Sequence, residues 1–413
     1  MTRSTKQKLT WVLLAGSLIA LISFGVRSSF GLLKIPMAEA TGFAPWVFAW
    51  SLSLQNLMWG VMQPVAGYFA DRYGSWRVLV VGALIYGSGL LLMVMDTGPL
   101  LKFVSIGFLV GSGIAGTSFS LVMVAFVKLV HPQYRSLAAS LGTAAGSLGQ
   151  VLVVPMATLF IEQAGWVNAG LFMAALFGFS IPLSLVLREK NEKNKVPGIS
   201  QNIKPLPARE AMRQAFGNRS YLMLMSGFFA CGYLLAFVTV YLPQHVGLMG
   251  LPSSYAAAGL MLIGLFNIVG SLSAGALGMR FSNKWLLSLN YIIRAVSVIG
   301  LLTLASPAVT ILGLDIPKMG LTLIFFAIIM GLMWLSTVPP TMNLVAIMHG
   351  TPNLAMLYGW VFFMHQVGAF IGLILAGWIE TRYGSVTLMW WSCIGVNIFA
   401  ALIHLPIKEK AYD

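Results

Sequence analysis

Long apolar segments dominate this 413-residue chain, and none of them carries an acidic residue in its middle. All eleven acidic residues fall at or beyond the segment ends: Glu39, Asp71, Asp96, Glu162, Glu189, Glu192, Glu210, Asp315, Glu380, Glu409 and Asp413. With 58% apolar and 9% charged residues, a chain of this length cannot cover its apolar surface with a polar shell in water. The sequence therefore predicts an integral membrane protein.

The length of the apolar segments favours helices over the strands of a barrel. They lack strict alternation, and each is long enough to cross about 30 Å of hydrocarbon at about 1.5 Å per residue. The sequence predicts twelve transmembrane helices, at residues 10–36, 45–71, 76–95, 101–128, 136–161, 165–187, 220–243, 253–279, 284–305, 318–347, 354–378 and 385–406. We expect the first segment to remain as a helix, because it is too long for a signal peptide and lacks a small-residue cleavage site. The predicted fold class is all-α.

One polar stretch divides the twelve segments into six and six. It predicts three regions: an N-terminal half at 1–187, a cytoplasmic linker at 188–218 and a C-terminal half at 219–413. The two halves also share a repeat, because a glycine- and arginine-containing stretch from Gly67 to Arg77 closes the second segment and a similar one from Gly275 to Lys284 closes the eighth. We interpret the halves as structural repeats.

The distribution of Lys and Arg predicts the orientation in the membrane. If the N-terminus is cytoplasmic, nineteen of these residues lie on cytoplasmic loops and only Lys34, Lys102, Lys318 and Arg382 lie on the opposite face. Both termini are then cytoplasmic. The net charge of +14 reports orientation and contact with anionic lipids rather than nucleic-acid binding. The lean loops favour a bacterial inner membrane.

Three groups that are or can become cationic lie deep inside apolar segments, namely Arg27, Arg294 and His365. Because an ionisable group in hydrocarbon is costly, such residues usually have a functional role. A positive interior without a buried carboxylate indicates a pathway for anions. Uncharged polar residues at similar depth are candidates to complete a pocket: Gln55, Asn56, Gln150, Asn267 and Asn343.

Each of the three cations also has an ordinary structural interpretation. Arg27 is our candidate anion-binding group, with Lys34 expected seven residues further along the same helix face, although Arg27 could also snorkel to the outer headgroups. His365 is a candidate for substrate binding and proton coupling, or a simple hydrogen-bonding residue. Arg294 either contacts substrate or braces neighbouring helices. Cys231 and Cys393 lie inside apolar segments and are interpreted as packing residues.

The first repeat motif contains five residues with distinct physical roles: Gly67, Asp71, Arg72, Gly74 and Arg77. Asp71 can meet Arg72, Arg77 or the N-terminal end of a neighbouring helix, and Gly67 lets two helices approach closely. We interpret the motif as a gating latch for a closed state, with a plain membrane-flanking charge cluster as the alternative. In the second copy Met279 replaces the acid, so a latch there is weaker or absent.

These motifs resemble the loop between helices two and three of the major facilitator superfamily. Within it the chain is similar to the monocarboxylate transporter and oxalate/formate antiporter branch, on the strength of Arg27-Ser28, the stretch from Arg135 to Gln150, and Trp334-Leu-Ser-Thr-Val338. The resemblance implies a fold of two six-helix halves and a carboxylate anchored at Arg27. The branch has an acidic and a basic residue in helix eight where this chain has Asn267 and Ser271, which puts its coupling mechanism in doubt here.

The predicted function is secondary transport of small organic anions, mono- or dicarboxylates, with proton symport favoured over exchange. The resemblance implies alternating access to a central site. No phosphate-binding loop, metal-ligand cluster or nucleophile beside a base is present, so we expect no cofactor, no metal and no enzyme activity. We expect a monomer. The alternatives are a drug-efflux pump, a carrier of larger anions such as a siderophore, and a non-transporting membrane sensor.

Overall fold

The computed structural model describes residues 3–43, 45–95, 98–188, 205–304, 309–311, 314–316 and 318–411. Eight helices precede residue 188: α1 (Arg3–Ser29), α2 (Lys34–Thr41), α3 (Pro45–Tyr73), α4 (Ser75–Val94), α5 (Pro99–Lys102), α6 (Gly111–Thr117), α7 (Phe119–Leu129) and α8 (Arg135–Val186). A π-helical stretch, Phe103–Val110, joins α5 to α6, and short 3-10 turns at Phe30–Leu33 and Pro132–Tyr134 precede α2 and α8.

Eight more helices follow the polar stretch: α9 (Ala208–Gly217), α10 (Arg219–Leu248), α11 (Ser253–Leu277), α12 (Asn283–Thr303), α13 (Lys318–Met333), α14 (Val338–His349), α15 (Leu354–Tyr383) and α16 (Thr387–His404). One short antiparallel hairpin of β1 (Val309–Ile311) and β2 (Leu314–Ile316) lies between α12 and α13.

Local breaks explain why these sixteen helices form twelve membrane spans. The helix α8 contains two spans, because Gly165 adopts a φ of 81° that only glycine tolerates readily. The segments α5, α6 and α7 follow one another as one span with an extended residue at Ser118, and α13 and α14 likewise form one. Ten stretches of the described chain are long and apolar enough to cross a membrane, the 132–186 stretch covering two spans, and the 29-residue α3 completes the set. The predicted all-α fold with twelve transmembrane helices is confirmed.

An even number of spans places both ends of the described chain on one side, which we call the terminus face. The first six and the last six spans each pack mainly among themselves, and the two groups meet where α3 contacts α15 and where α8 contacts α11. Both contacts are made by small residues near the terminus face: Gly67 lies against the backbone of Ala355, and Gly275 against Ser140. Close helix approach at such positions strengthens packing between helices.

The first predicted helix ends earlier than the apolar pattern indicated. α1 stops at Ser29 and the chain turns through a 3-10 helix before α2 begins at Lys34. The helical spacing of seven residues therefore does not carry from Arg27 to Lys34. Arg27 is half-buried whereas Lys34 is exposed, so the expectation that they share one face is wrong.

The segment before α9 is tied to the last six spans by one side chain. Asn353 accepts a hydrogen bond from the Leu206 amide at 2.9 Å and donates one to the Leu206 carbonyl at 3.1 Å. Asn353 is also the residue that precedes α15. Residues 189–204 of the predicted linker lie outside the described part of the chain.

Candidate functional site

Arg27 lies near the end of α1 and faces helices of its own half. Its Nη2 donates to Asn56 Oδ1 of α3 at 2.8 Å. Its guanidinium lies 4.7 Å from the ring centre of Trp59 and 5.6 Å from that of Phe24. Aromatic faces attract a cation through the ring quadrupole, so these rings fix the guanidinium in place without neutralising its charge.

No carboxylate of the described residues pairs with Arg27. Among the described residues one ion pair occurs, between Lys128 and Asp71, and the Asp71 carboxylate lies at the terminus face. The Nε of Arg27 is buried and has no hydrogen-bond partner. Because a desolvated cation without a counter-ion is costly in a membrane, this position is suited to an anion.

Gln150 of α8 bonds to Ser28, the residue that follows Arg27 in α1. Its Nε2 donates to Ser28 Oγ at 2.9 Å, and Ser28 in turn donates to the carbonyl of Phe24. The structure thus brings Gln150 and Asn56, two of the polar residues selected from the sequence, to the surroundings of Arg27. Gln55 instead donates to the Ile106 carbonyl at 3.4 Å, within its own half.

An aromatic layer, formed by Trp59, Phe119 and Phe362, joins the two halves beside Arg27. The ring centres of Trp59 and Phe362 are 4.9 Å apart, those of Trp59 and Phe119 are 6.4 Å apart, and those of Phe119 and Phe362 are 6.1 Å apart. All three rings are at most 3% exposed. The layer is therefore a buried aromatic contact between the halves.

His365 contacts the aromatic layer through Phe362. Its ring stacks on Phe362 with 5.3 Å between centres and an interplanar angle of 9°. Neither ring nitrogen meets a nitrogen or oxygen partner, although both are buried, and the Cys231 thiol lies next to the ring. Trp59 and Phe362 thus form a series of ring contacts from Arg27 to His365, and His365 makes no hydrogen bond to Arg27.

Small residues explain how α15 brings His365 so close to α10. Gly232 of α10 packs against the His365 carbonyl, and Gly368 of α15 packs against the Phe229 carbonyl. Any larger side chain at either glycine would meet backbone atoms. Gly232 and Gly368 therefore allow α10 and α15 to pack closely beside His365.

Arg294 is committed to the break between α13 and α14. Its Nε and Nη2 donate to the Met333 carbonyl at 3.0 and 2.6 Å, and its Nη2 also donates to the Trp334 carbonyl. Pro339 and Pro340 lack amide protons, so the helix cannot continue through this point and its last carbonyls need another donor. These hydrogen bonds correspond to bracing a neighbouring helix, one of the two roles considered for Arg294, while its buried Nη1 has no hydrogen-bond partner.

Asn267 joins the halves at mid-helix instead of standing free in a pocket. Its Nδ2 donates to Ser147 of α8 at 2.6 Å, and its Oδ1 accepts from the Leu335 amide in the broken segment at 2.9 Å. Ser271 also donates to Asn267 Oδ1, at 3.2 Å. Asn343 is bonded to Asn283 at 3.4 Å, near the terminus face and away from Arg27.

The motif around Asp71 connects the two halves at the terminus face. One carboxylate oxygen pairs with Lys128 at 2.7 Å and accepts the Ala355 amide at 3.1 Å, and the other oxygen accepts the Met356 amide at 2.8 Å. The two amides belong to the first turn of α15, where free N–H groups and the helix dipole favour an anion. Asp71 thus meets the helix N-terminus that the sequence offered as one possibility.

The arginines of the motif have other partners. Arg72 donates to Tyr68 Oη at 3.0 Å and Arg77 to the Tyr73 carbonyl at 2.8 Å. Gly74 ends α3 with a φ of 90°, so the motif needs glycine there for backbone reasons. Lys128, the actual ion-pair partner, lies 57 positions from Asp71, and the loop pattern gave no signal for it.

Comparison with known proteins fits this architecture. Residues 16–316 match the family model of the Major Facilitator Superfamily, and the chain belongs to this superfamily of membrane transporters. It is 23% identical to the uncharacterised MFS-type transporter YcxA of Bacillus subtilis (strain 168), over 98% of this chain and 97% of that one. It is also 22% identical to monocarboxylate transporter 12 of Xenopus laevis, over 88% of this chain and 81% of that protein.

Among solved structures, the chain resembles the proton:xylose symporter XylE bound to 6-bromo-6-deoxy-D-glucose. The TM-score is 0.74 at 14% identity, and the match covers 98% of this chain and 97% of that one. At this identity the likeness establishes the shared fold. The resemblance to monocarboxylate transporters stated from the sequence is likewise supported by the named relatives.

Proposed function

We propose that this transporter carries small organic anions, mono- or dicarboxylates, in symport with protons, and that Arg27 is the carboxylate anchor. The observation that carries the proposal is the guanidinium of Arg27, which has a buried Nε, an amide and two aromatic rings around it, and no acidic partner among the described residues. The planar fork of an arginine binds a carboxylate through two parallel hydrogen bonds. The named monocarboxylate relatives support the same substrate class.

The contacts between the halves support alternating access. Asp71 holds the first turn of α15 and Gly67 packs on Ala355, so the halves are closed together at the terminus face. Release of these contacts would let the halves rock apart on that side while the central residues keep their surroundings. With both termini in the cytoplasm, as the charge asymmetry predicts, the closed side is the cytoplasmic one. We assign the protein to a bacterial inner membrane.

His365 is our proposed proton carrier. It is the histidine that stacks within the aromatic region between the halves, and its ring nitrogens have no nitrogen or oxygen partner. A histidine changes charge within the physiological pH range, whereas the described acidic residues lie at span ends. Proton coupling through His365 needs no carboxylate in the membrane interior.

The anchor is tested by a thermal-stability screen of the purified protein with carboxylates of graded size and with lipophilic cations. A ligand that prefers the folded state raises the melting temperature. We expect one carboxylate class to stabilise the wild type, Arg27→Ala to abolish the effect and Arg27→Lys to retain part of it. Lys34→Ala, which removes an exposed cation nearby in sequence, is the matched control. Stabilisation by cations alone would contradict the anion assignment and favour an efflux pump.

Proton coupling is tested in liposomes loaded with the carboxylate that the screen identifies. His365→Ala should lose accumulation driven by a pH gradient and keep exchange of labelled for unlabelled substrate. Accumulation at the wild-type rate in His365→Ala would reject His365 as the carrier of the proton while leaving Arg27 as the anchor.

A further inference from the structure

Polar side chains from four parts of the second half meet around the Cys231 thiol of α10. The sulfur lies 3.4 Å from Thr337 Oγ1 at the α13–α14 break, and Arg294 Nη2 of α12 donates to the same hydroxyl at 3.4 Å. His365 of α15 lies next to the thiol, and the ring of Phe228, one turn before Cys231, is 5.1 Å from the imidazole. We call Cys231, Arg294, Thr337 and His365 the thiol cluster.

The thiol cluster holds a cation whose charge is not balanced by a carboxylate. Arg294 and Cys231 are both 0% exposed, and Arg294 Nη1 has no hydrogen-bond partner. The carbonyls at the helix break solvate the guanidinium, but they are neutral dipoles. Because a desolvated cation is costly in a membrane, a negative group beside Arg294 would be stabilised strongly.

The Cys231 thiol is an acid already placed beside this cation. The acidic residues of the described chain lie at span ends, so none of them reaches the cluster. A thiolate at Cys231 would neutralise the charge of Arg294, and a thiol would leave that charge uncompensated. The cluster therefore has a proton-binding group of its own.

The titratable and charged groups around Cys231 come from three neighbouring helices: Arg294 and Tyr291 of α12, His365 and Tyr358 of α15, and His404 of α16, which stacks on Tyr291 at 5.2 Å. The tyrosine hydroxyls keep their protons at neutral pH. His404 is bonded to the Ala400 carbonyl of its own helix at 2.6 Å. His365 has two buried ring nitrogens without a nitrogen or oxygen partner, so it is the histidine able to exchange a proton with the thiol.

We infer that Cys231 holds the transported proton, as a thiol in the loaded state and as a thiolate paired with Arg294 in the unloaded state. His365 passes the proton: a ring nitrogen takes it from the side to which the transporter is open and gives it to Sγ, and the reverse steps release it. This inference rests on the proposed function, since it assumes proton symport. It adds the group that stores the proton to the histidine that carries it.

Proton loading changes the charge of the cluster from neutral to one positive charge. Thiolate and guanidinium cancel, whereas thiol and guanidinium leave the charge of Arg294. His365 stays neutral in both states, because a second cation beside Arg294 would be repelled. A positive interior raises the affinity for an anion, and by linkage the bound anion raises the affinity for the proton. A carboxylate and a proton would therefore move together.

Infrared spectroscopy of the purified protein tests the thiolate without any substrate. The S–H stretching band is clear of other protein absorption and disappears when the thiol ionises. In Cys393→Ser, Cys231 is the remaining thiol, and its band should be present at about pH 5 and less than half as strong at about pH 8. Cys231→Ser is the matched control, because it leaves the equally buried Cys393, whose band should keep its strength over the same range.

Transport in liposomes tests the role of the proton at Cys231. Cys231→Ser keeps a hydroxyl for Thr337 and cannot ionise in this range, so it should lose accumulation driven by a pH gradient and keep exchange of labelled for unlabelled substrate. Cys231→Asp should regain accumulation with its pH dependence shifted to lower pH, since a carboxyl group gives up its proton more readily than a thiol. Cys393→Ser should accumulate substrate like the wild type.

The outcomes separate this inference from the proposed function. A Cys231 band that keeps its full strength up to about pH 9 would overturn the inference, and so would wild-type accumulation in Cys231→Ser. Equal loss of exchange and accumulation in Cys231→Ser would mean that Cys231 only packs, and would also overturn it. If Cys231→Asp does not fold, the serine variant and the infrared band decide. Failure of every carboxylate to bind would instead reject the proposed function, and it would not alter the S–H band.

Discussion

The two contacts between the halves are built differently, although the repeat places them at corresponding positions. Where α3 meets α15, a carboxylate holds two backbone amides and an ammonium group, and Gly67 lies against a peptide backbone. Where α11 meets α8, Met279 stands in place of the acid, and Gly275 and Gly278 lie against the side chains of serines. One contact is electrostatic and directional, and the other is a seam of small residues.

This difference indicates that the two contacts have different roles in the movement of the halves. Charged hydrogen bonds at a helix N-terminus are strong and depend on geometry, so they are lost abruptly once the helices separate. Packing of small residues has no preferred direction, so the contact can be kept while the helix surfaces slide past one another. The α3–α15 contact is thus suited to define the closed state, and the α8–α11 contact to guide the movement between states.

Among these substitutions, loss of Asp71 should destabilise the closed form the most. Asp71→Ala removes the ion pair with Lys128 and leaves the Ala355 and Met356 amides without their acceptor, so it should destabilise the closed form by about 3 kcal/mol, roughly a hundredfold in its population. Spin labels at the exposed positions Arg77 and Gln214, with Cys231 and Cys393 replaced by serine, report the distance between the halves. The distribution should shift to longer distances.

Glu39→Ala is the control for this measurement, since Glu39 is an exposed acid of α2. Its distance distribution should match that of the parent protein. A closed distribution in Asp71→Ala would show that the small-residue contacts suffice and would remove the distinction between the two regions.

Glycine substitutions should distinguish a backbone contact from a side-chain contact. A methyl group at Gly67 would meet the carbonyl and amide of Ala355–Met356, which no side-chain change can remove, whereas a methyl at Gly275 would chiefly meet the Ser140 side chain. Each alanine variant should lower stability by about 1–3 kcal/mol. Thermal unfolding should show rescue of Gly275→Ala by Ser140→Gly and no rescue of Gly67→Ala by Ala355→Gly.

Gly264 offers a control in the same helix as Gly275, because nothing lies within 4 Å of a methyl group built there. Gly264→Ala should be neutral or slightly stabilising, since alanine restricts the unfolded chain. If Ala355→Gly rescued Gly67→Ala as fully as Ser140→Gly rescues Gly275→Ala, the two contacts would not differ in kind.

Substitution of Asn267 should lower stability moderately, because its side chain forms hydrogen bonds to two different elements. Asn267→Ala removes the bond to Ser147 and leaves the buried Leu335 amide without an acceptor, at about 1–3 kcal/mol. A double-mutant cycle with Ser147→Ala measures the part that acts across the halves, which we expect to be about 0.5–1.5 kcal/mol. Asn168→Ala, at an exposed asparagine of α8, is the control. A coupling of zero would remove Asn267 from the contact between the halves.

Among these substitutions, replacement of Arg72 should change stability the least. It is exposed and bonded to Tyr68 of its own helix, so Arg72→Gln should change stability by no more than about 0.5 kcal/mol. The spin-label distances should also stay unchanged. A shift as large as that of Asp71→Ala would mean that the arginine contributes to the latch in a way that its contacts do not explain.

The sequence predicted the spans well because the cost of polar groups in hydrocarbon acts on every residue of a segment. It also offered the correct kind of partner for Asp71, since a helix N-terminus attracts any nearby acid. It could not predict the Trp59–Phe362 contact, because the two residues lie on helices that only the packed fold brings together.

The sequence contains a local signal for the partner of Arg294. The pair Pro339-Pro340 predicts a broken helix with unsatisfied carbonyls, and a buried arginine is a natural donor for them. The helix that supplies this donor, α12, is fixed only by tertiary packing. The early end of α1 is different, because nothing in the apolar pattern distinguishes residues 30–33 from a continuing helix.

The two hydrogen bonds between Asn353 and Leu206 have a mechanical consequence. Arg188 ends the described part of the first half and Leu206 is already fastened to the second, so eighteen residue steps connect two bodies that must rock against each other. Fully extended, a tether of that length reaches about 60 Å. The contour length of the connection therefore imposes no short limit on the rocking movement, and that limit falls to the helix contacts themselves.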